Sequence, residues 1–182
     1  MTEKNRTILV VDDEDVVRET YLEILSEKKA PAAGLAMRHR QAEGDKAPAA
    51  SQDSYRVLAA RDGAEAIGLV QAELAAGRRI AAGFFDMRMP GMDGLETIRR
   101  VLALDPDIYC AVVTAFSDRS VEQIGALFAN QDQWLYFSKP FTPAELLQAA
   151  RNMVGAWNRR RQMEATMARI EETHRRLKKL LE

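Results

Sequence analysis

Thr7-Ile8-Leu9-Val10-Val11-Asp12-Asp13-Glu14 is a short, β-branched apolar run that ends on three carboxylates. With no polar break from Ile8 to Val11, it predicts a strand buried on both faces. Val16, Val17, Tyr21, Leu22, Ile24 and Leu25 follow at helical spacing, which fades at Ser26-Glu27-Lys28-Lys29. Working outward, the same alternation recurs. Strands are expected at 55–59, 80–85, 108–113 and 134–137. Helices are expected at 64–76, stopped by Gly77, and at 93–104, ended by Asp105-Pro106. A further helix is expected from a cap at Ser117 or Asp118 to about residue 129, and a last one from Thr142-Pro143 onward.

Five strands alternating with helices call for a parallel sheet covered on both faces. Ligands of such sheets sit beyond the carboxyl ends of the strands. At those ends stand Asp12 and Asp13, then Asp86, then Thr114, then Lys139. Singly, each has a plain reading as a cap or loop residue. Together and in order, they bring three carboxylates, a hydroxyl and an amine to one rim. Crowded carboxylates repel one another, and a divalent cation relieves that repulsion. Hard oxygen ligands suit Mg²⁺, which takes phosphate readily as a co-ligand. Lys139 offers a point charge to an anion and Thr114 a hydroxyl. The rim therefore suits a phosphoryl group, with Asp86 as the acceptor, because a carboxylate can form an acyl phosphate.

The segments Ile8 to Glu14, Asp86-Met87-Arg88-Met89-Pro90-Gly91-Met92-Asp93-Gly94, Val112-Val113-Thr114-Ala115 and Tyr136-Phe137-Ser138-Lys139-Pro140-Phe141 resemble a response-regulator receiver domain. The resemblance covers roughly residues 5–155. It implies an α/β, flavodoxin-like, doubly wound sheet in the order 2-1-3-4-5. It also implies that Asp86 takes a phosphoryl group from a sensor histidine kinase or phosphotransfer protein. Asp13, Asp86 and the Arg88 backbone carbonyl would ligate Mg²⁺, with Asp12 acting through water. Lys139 would pair with the phosphoryl oxygens, and its bond to Pro140 would be cis. Thr114 would move toward the phosphoryl group and Tyr136 would turn inward, reshaping the face formed by the fourth helix, the fifth strand and the last helix. Arg88 and Phe116 resemble positions that tune phosphoryl lifetime in the family.

Two segments depart from that pattern. Residues 30–54 are Ala-rich, carry Pro31, Gly34, Gly44 and Pro48, and have no period, so they read as an insertion between the first helix and second strand. His39 lies within it. At the other end, Leu146, Met153, Arg160, Met167, His174 and Leu181 share one heptad position, and Ala149, Ala156, Met163, Ile170 and Leu177 share another. More than four heptads mark a coiled coil, expected at 156–182 and expected to make a homodimer. Arg160 and His174 are polar seam positions. The helix reaches Glu182 without a stop signal, so a following output domain is expected.

Charge and composition exclude several classes. The 182 residues hold 26 Lys+Arg and 27 Asp+Glu, too balanced for a nucleic-acid-binding polycation. Residues 151–182 carry nine Lys/Arg and four Glu, a net of +5, which leaves −6 on the first 150. A basic DNA-reading helix is disfavoured, because the charges bracket an apolar seam and no helix-turn-helix follows. One cysteine, Cys110, removes disulfides and cysteine-rich metal sites. No apolar run approaches ~20 residues and no leader is seen, so a cytoplasmic chain without membrane contact is expected. Neither a Gly-rich nucleotide loop nor a hydrolase triad is present. Two classes remain: a phosphorylation switch whose helix dimerises, or a phosphorylation-independent dimeric adaptor.

Overall fold

The computed structural model of the chain describes residues 4–26, 54–115 and 121–181. The elements are β1 (Thr7–Val11), α1 (Asp15–Leu25), β2 (Arg56–Ala60), α2 (Gly63–Ala75), β3 (Ala82–Asp86), α3 (Gly94–Leu104), β4 (Tyr109–Thr114), α4 (Val121–Gly125), a 3₁₀ turn (Gln131–Gln133), β5 (Trp134–Ser138) and α5 (Pro143–Leu181). The strands form one parallel sheet in the order β2-β1-β3-β4-β5. This is the doubly wound fold and strand order expected. The insertion other than Ser54, His39, Phe116 and the cap at Ser117 or Asp118 lie outside the described residues.

Alternation along each central strand builds two cores. Ile8, Val10 and Phe84 point to one face, where Tyr21, Leu25, Leu146, Ala150, Met153 and Trp157 from α1 and α5 cover them. Leu9, Val11, Phe85 and Val112 point to the other, against Ala66, Val70, Ile98, Val101 and Ile124 from α2, α3 and α4. Every residue of β1, β3 and β4 is buried, whereas edge strands β2 and β5 are not. This explains the unbroken apolar runs of the central strands.

Caps set the helix starts. Asp62 and Asp93 accept from the backbone N–H three residues on, at Glu65 and Glu96. Thr142 and Glu145 cap α5 reciprocally, with Pro143 at its first position. Gly77 ends α2 at φ +70, where Arg78 N–H returns to the Glu73 carbonyl.

The helix expected to reach about residue 129 ends instead at Gly125. Leu127 and Phe128 N–H groups tighten onto carbonyls three residues back, and Phe128 stacks on Trp134 at 5.9 Å. That ring contact takes the chain off the helical path. The Lys139–Pro140 bond is cis, as the resemblance implied. Among the described residues, no helix is long and apolar enough to cross a membrane.

Candidate functional site

Backbone bonds beyond the strand ends align the rim. Asp12 N–H donates to the Ala60 carbonyl, Met87 N–H to Val113 and Lys139 N–H to Thr114. The β3–β4 register sets Asp86 beside Val113, and the β4–β5 register sets Thr114 beside Ser138. Residues distant in sequence therefore meet at one end of the sheet.

Carboxylate oxygens of Asp12, Asp13 and Asp86 lie within 4.8 Å of one another. Asp12 and Asp86 are buried and Asp13 is exposed. Lys139 Nζ donates to Asp12 Oδ2 at 2.8 Å and lies 3.5 Å from Asp86 Oδ1. Asp12 Oδ1 also accepts from Glu14 N–H at 3.0 Å. Burial pushes the Asp86 carboxyl above the ordinary range; the Lys139 charge opposes that rise, Asp12 adds to it, and bonds from Lys139 and the Arg88 backbone oppose it. Burial works against the Lys139 ammonium, but its bond to Asp12 and the charges of Asp12 and Asp86 outweigh burial and raise its pKa. Three carboxylates against one ammonium leave the cluster short of positive charge, which suits a divalent cation with oxygen ligands.

Thr114 stands across a cavity of about 900 Å³ lined also by Asp13, Arg88, Gln123, Ile124 and Tyr136. Tyr136 is 40% exposed. Its Cα partner in the sheet is Val112, on the side of the second core. Of the site residues expected from the sequence, the seven among the described residues, Asp12, Asp13, Asp86, Arg88, Thr114, Tyr136 and Lys139, thus flank the carboxylate cluster or this cavity.

Two supporting residues were missed. Arg18 Nη1 donates to the Asp12 carbonyl at 2.6 Å, and the same guanidinium pairs with Asp15. Its place one turn into α1, after a strand-end acidic pair, was the available signal. Tyr21 is buried among Phe84 and Phe141, and its pKa is raised by burial and by Asp12 and Asp86 beneath the rim. Its helical spacing marked it only as core.

The fold and rim define a phosphorylation-type receiver module. The family model described as response regulator receiver domain matches residues 46–151, and the chain belongs to that family. The match starts after β1 and α1, which the fold supplies. Phosphorylation-based switching is the family's general function, and its receivers are generally Mg²⁺-dependent.

Response regulator MprA of Mycobacterium sp. (strain KMS) is 32% identical over 147 residues, covering 81% of this chain and 50% of that protein. The C4-dicarboxylate transport transcriptional regulatory protein DctD of Rhizobium meliloti is 45% identical over 67 residues, 36% of this chain and 14% of its own length. The chain thus spans half or less of these relatives. Among solved structures, chemotaxis protein CheY4 of Vibrio cholerae aligns with a TM-score of 0.57 at 22% identity, covering 82% of this chain and 98% of its own. An adenylate cyclase from Rhodopirellula baltica aligns at 0.65 and 21%, covering 90% and 98%. These likenesses show the fold.

Proposed function

We propose that Asp86 accepts a phosphoryl group from the phosphohistidine of a partner kinase or phosphotransfer protein. The Asp86 carboxylate oxygen attacks phosphorus, the P–N bond to the imidazole breaks, and an acyl phosphate forms. Asp13 and Asp86 with the Arg88 backbone carbonyl would hold Mg²⁺, and Asp12 would contribute through water. The cation supplies positive charge to the phosphoryl oxygens. Lys139 supplies a second positive charge from the end of β5.

The observation that carries this reading is the convergence of Asp12, Asp13, Asp86 and Lys139 from three strand ends, with Asp86 buried at the centre. A new phosphoryl group adds charge and acceptor oxygens. Thr114 closes on it, and Tyr136 turns from solvent into the cavity beside Thr114. The α4-β5-α5 face changes shape, a shift between two packings. α5 begins on that face and continues as a long helix, so it carries the change toward a homodimer contact and an output domain.

The test is direct. Intact mass of the full chain after a small phosphodonor and Mg²⁺ should show one added phosphoryl group, and none in Asp86→Asn. Equal labelling of the variant would overturn the assignment.

A further inference from the structure

α5 has two halves of different surroundings. Leu146, Ala150, Met153 and Trp157 are buried on the sheet. Beyond them, Met163, Met167, Ile170 and Leu177 are 60, 56, 61 and 55% exposed. Met167 continues the heptad position of Leu146 and Met153, and Met163, Ile170 and Leu177 continue that of buried Ala149, so a largely apolar stripe, broken at Arg160 and His174, runs off the domain into solvent.

The polar sides of this outer half satisfy themselves. Glu164 pairs with Arg160 and Arg161 at 3.2 and 3.1 Å, and Glu172 with Arg175 and Arg176 at 3.3 and 2.9 Å. The start of the stripe is anchored. Asp107, ahead of β4, takes Arg79 at 2.8 Å and Arg161 at 2.5 Å, with Arg160 at 3.7 Å. Arg161 also lies over the Trp157 ring, and Asn158 exchanges bonds with the Asn5 backbone. Arg160 falls on the seam by spacing, but Asp107 and Glu164 draw its guanidinium. The open seam therefore begins at Met163.

We infer that this stripe pairs with the same stripe of a second copy of the chain, the two helices parallel and in register. This rests on the dimeric reading above and adds the partner's orientation. Charge complementarity decides it. In a parallel pair, each residue before the seam faces one five positions later on the partner. Arg159 then faces the partner's Glu164, Thr166 the partner's Glu171, and Thr173 the partner's Lys178. One contact is attractive and none sets like charges together. An antiparallel pair with Met167 opposite Ile170 places Glu171 beside the partner's Glu164, and Glu164 beside the partner's Glu171, along one side of the seam. The net charge of +5 over residues 151–182 makes an anionic lipid surface the competing occupant, and the experiment below separates the two.

Cysteine pairing in the full chain tests the orientation. Met163→Cys and Leu177→Cys chains, one carrying a size tag, are mixed and oxidised with diamide. Native Cys110 is fully buried and does not compete. Positions 163 and 177 lie ~21 Å apart along a helix, beyond the ~7 Å reach of a disulfide. The expected products are 163–163 and 177–177 disulfides, with no mixed species. Mixed 163–177 disulfides alone would overturn the parallel register and leave the dimer standing. No disulfide, with a monomer mass by light scattering, would overturn both. A monomer that sediments with phosphatidylglycerol vesicles would assign the stripe to a lipid surface instead.

Discussion

Lys139 Nζ lies nearer to Asp12 than to Asp86: 2.8 Å against 3.5 Å. Its closer partner is thus the buried carboxylate beside the proposed acceptor. Removing the ammonium strands Asp12 in the protein with little compensation. Lys139→Met should lower unfolding free energy by about 2–4 kcal/mol at neutral pH. Mg²⁺ should restore part of that loss, because it serves the same carboxylates. Chemical denaturation with and without Mg²⁺ checks this, and an unchanged midpoint would contradict it.

Asp86 should be a destabilising charge until a cation arrives. Burial raises its pKa above the unfolded value, so the ionised form is the one that folding disfavours. The penalty is full above the raised pKa and disappears below the ordinary carboxylate range. In EDTA at neutral pH, Asp86→Asn should therefore melt above the parent. The gap should close as pH falls through the raised pKa. Mg²⁺ should narrow the gap by stabilising the parent alone. Thermal melts across pH decide it, and equal stabilisation of both chains by Mg²⁺ would count against the site.

Gly94 holds the acceptor strand in place. A methyl group there would drive into the Asp86 carbonyl and stand 2.8 Å from Met87 Cα. Both neighbours are backbone and cannot swing aside. Gly94→Ala should cost about 1–3 kcal/mol or more, and should slow labelling by shifting Asp86. Denaturation and phosphorylation rates measured together would show it; a variant with parental values in both would refute the close approach.

Much of this was legible in the sequence because the governing physics is local. The apolar run Thr7–Val11 ending on Asp12 and Asp13 announces a doubly buried strand and its rim residues together. Thr142-Pro143 and Gly77 mark helix ends by backbone chemistry alone. What stayed hidden depends on tertiary contact. The early end of α4 follows from Phe128 meeting Trp134, a pairing that no period encodes. The anchoring of Arg160 and Arg161 by Asp107 joins residues about fifty positions apart. Arg160 therefore reads as a seam residue in the heptad and as an anchor in the fold.

The outer half of α5 should separate from the phosphorylation chemistry. Ile170 is exposed on the stripe, far along the helix from the carboxylate cluster. Ile170→Pro removes a backbone donor and breaks the helix, at a cost of about 3 kcal/mol. Sedimentation should then report a monomer, while the rate of Asp86 labelling stays at the parental value. An intact oligomer would contradict the helical contact.

The most direct test of the central claim is chemical mapping of the modified residue. The chain is treated with a small phosphodonor and Mg²⁺, trapped with borohydride, digested and read by peptide mass. An acyl phosphate at Asp86 is reduced to homoserine, so the account predicts homoserine at position 86 and unaltered aspartate at 12 and 13. Conversion at Asp12 or Asp13, or none at all, would contradict it.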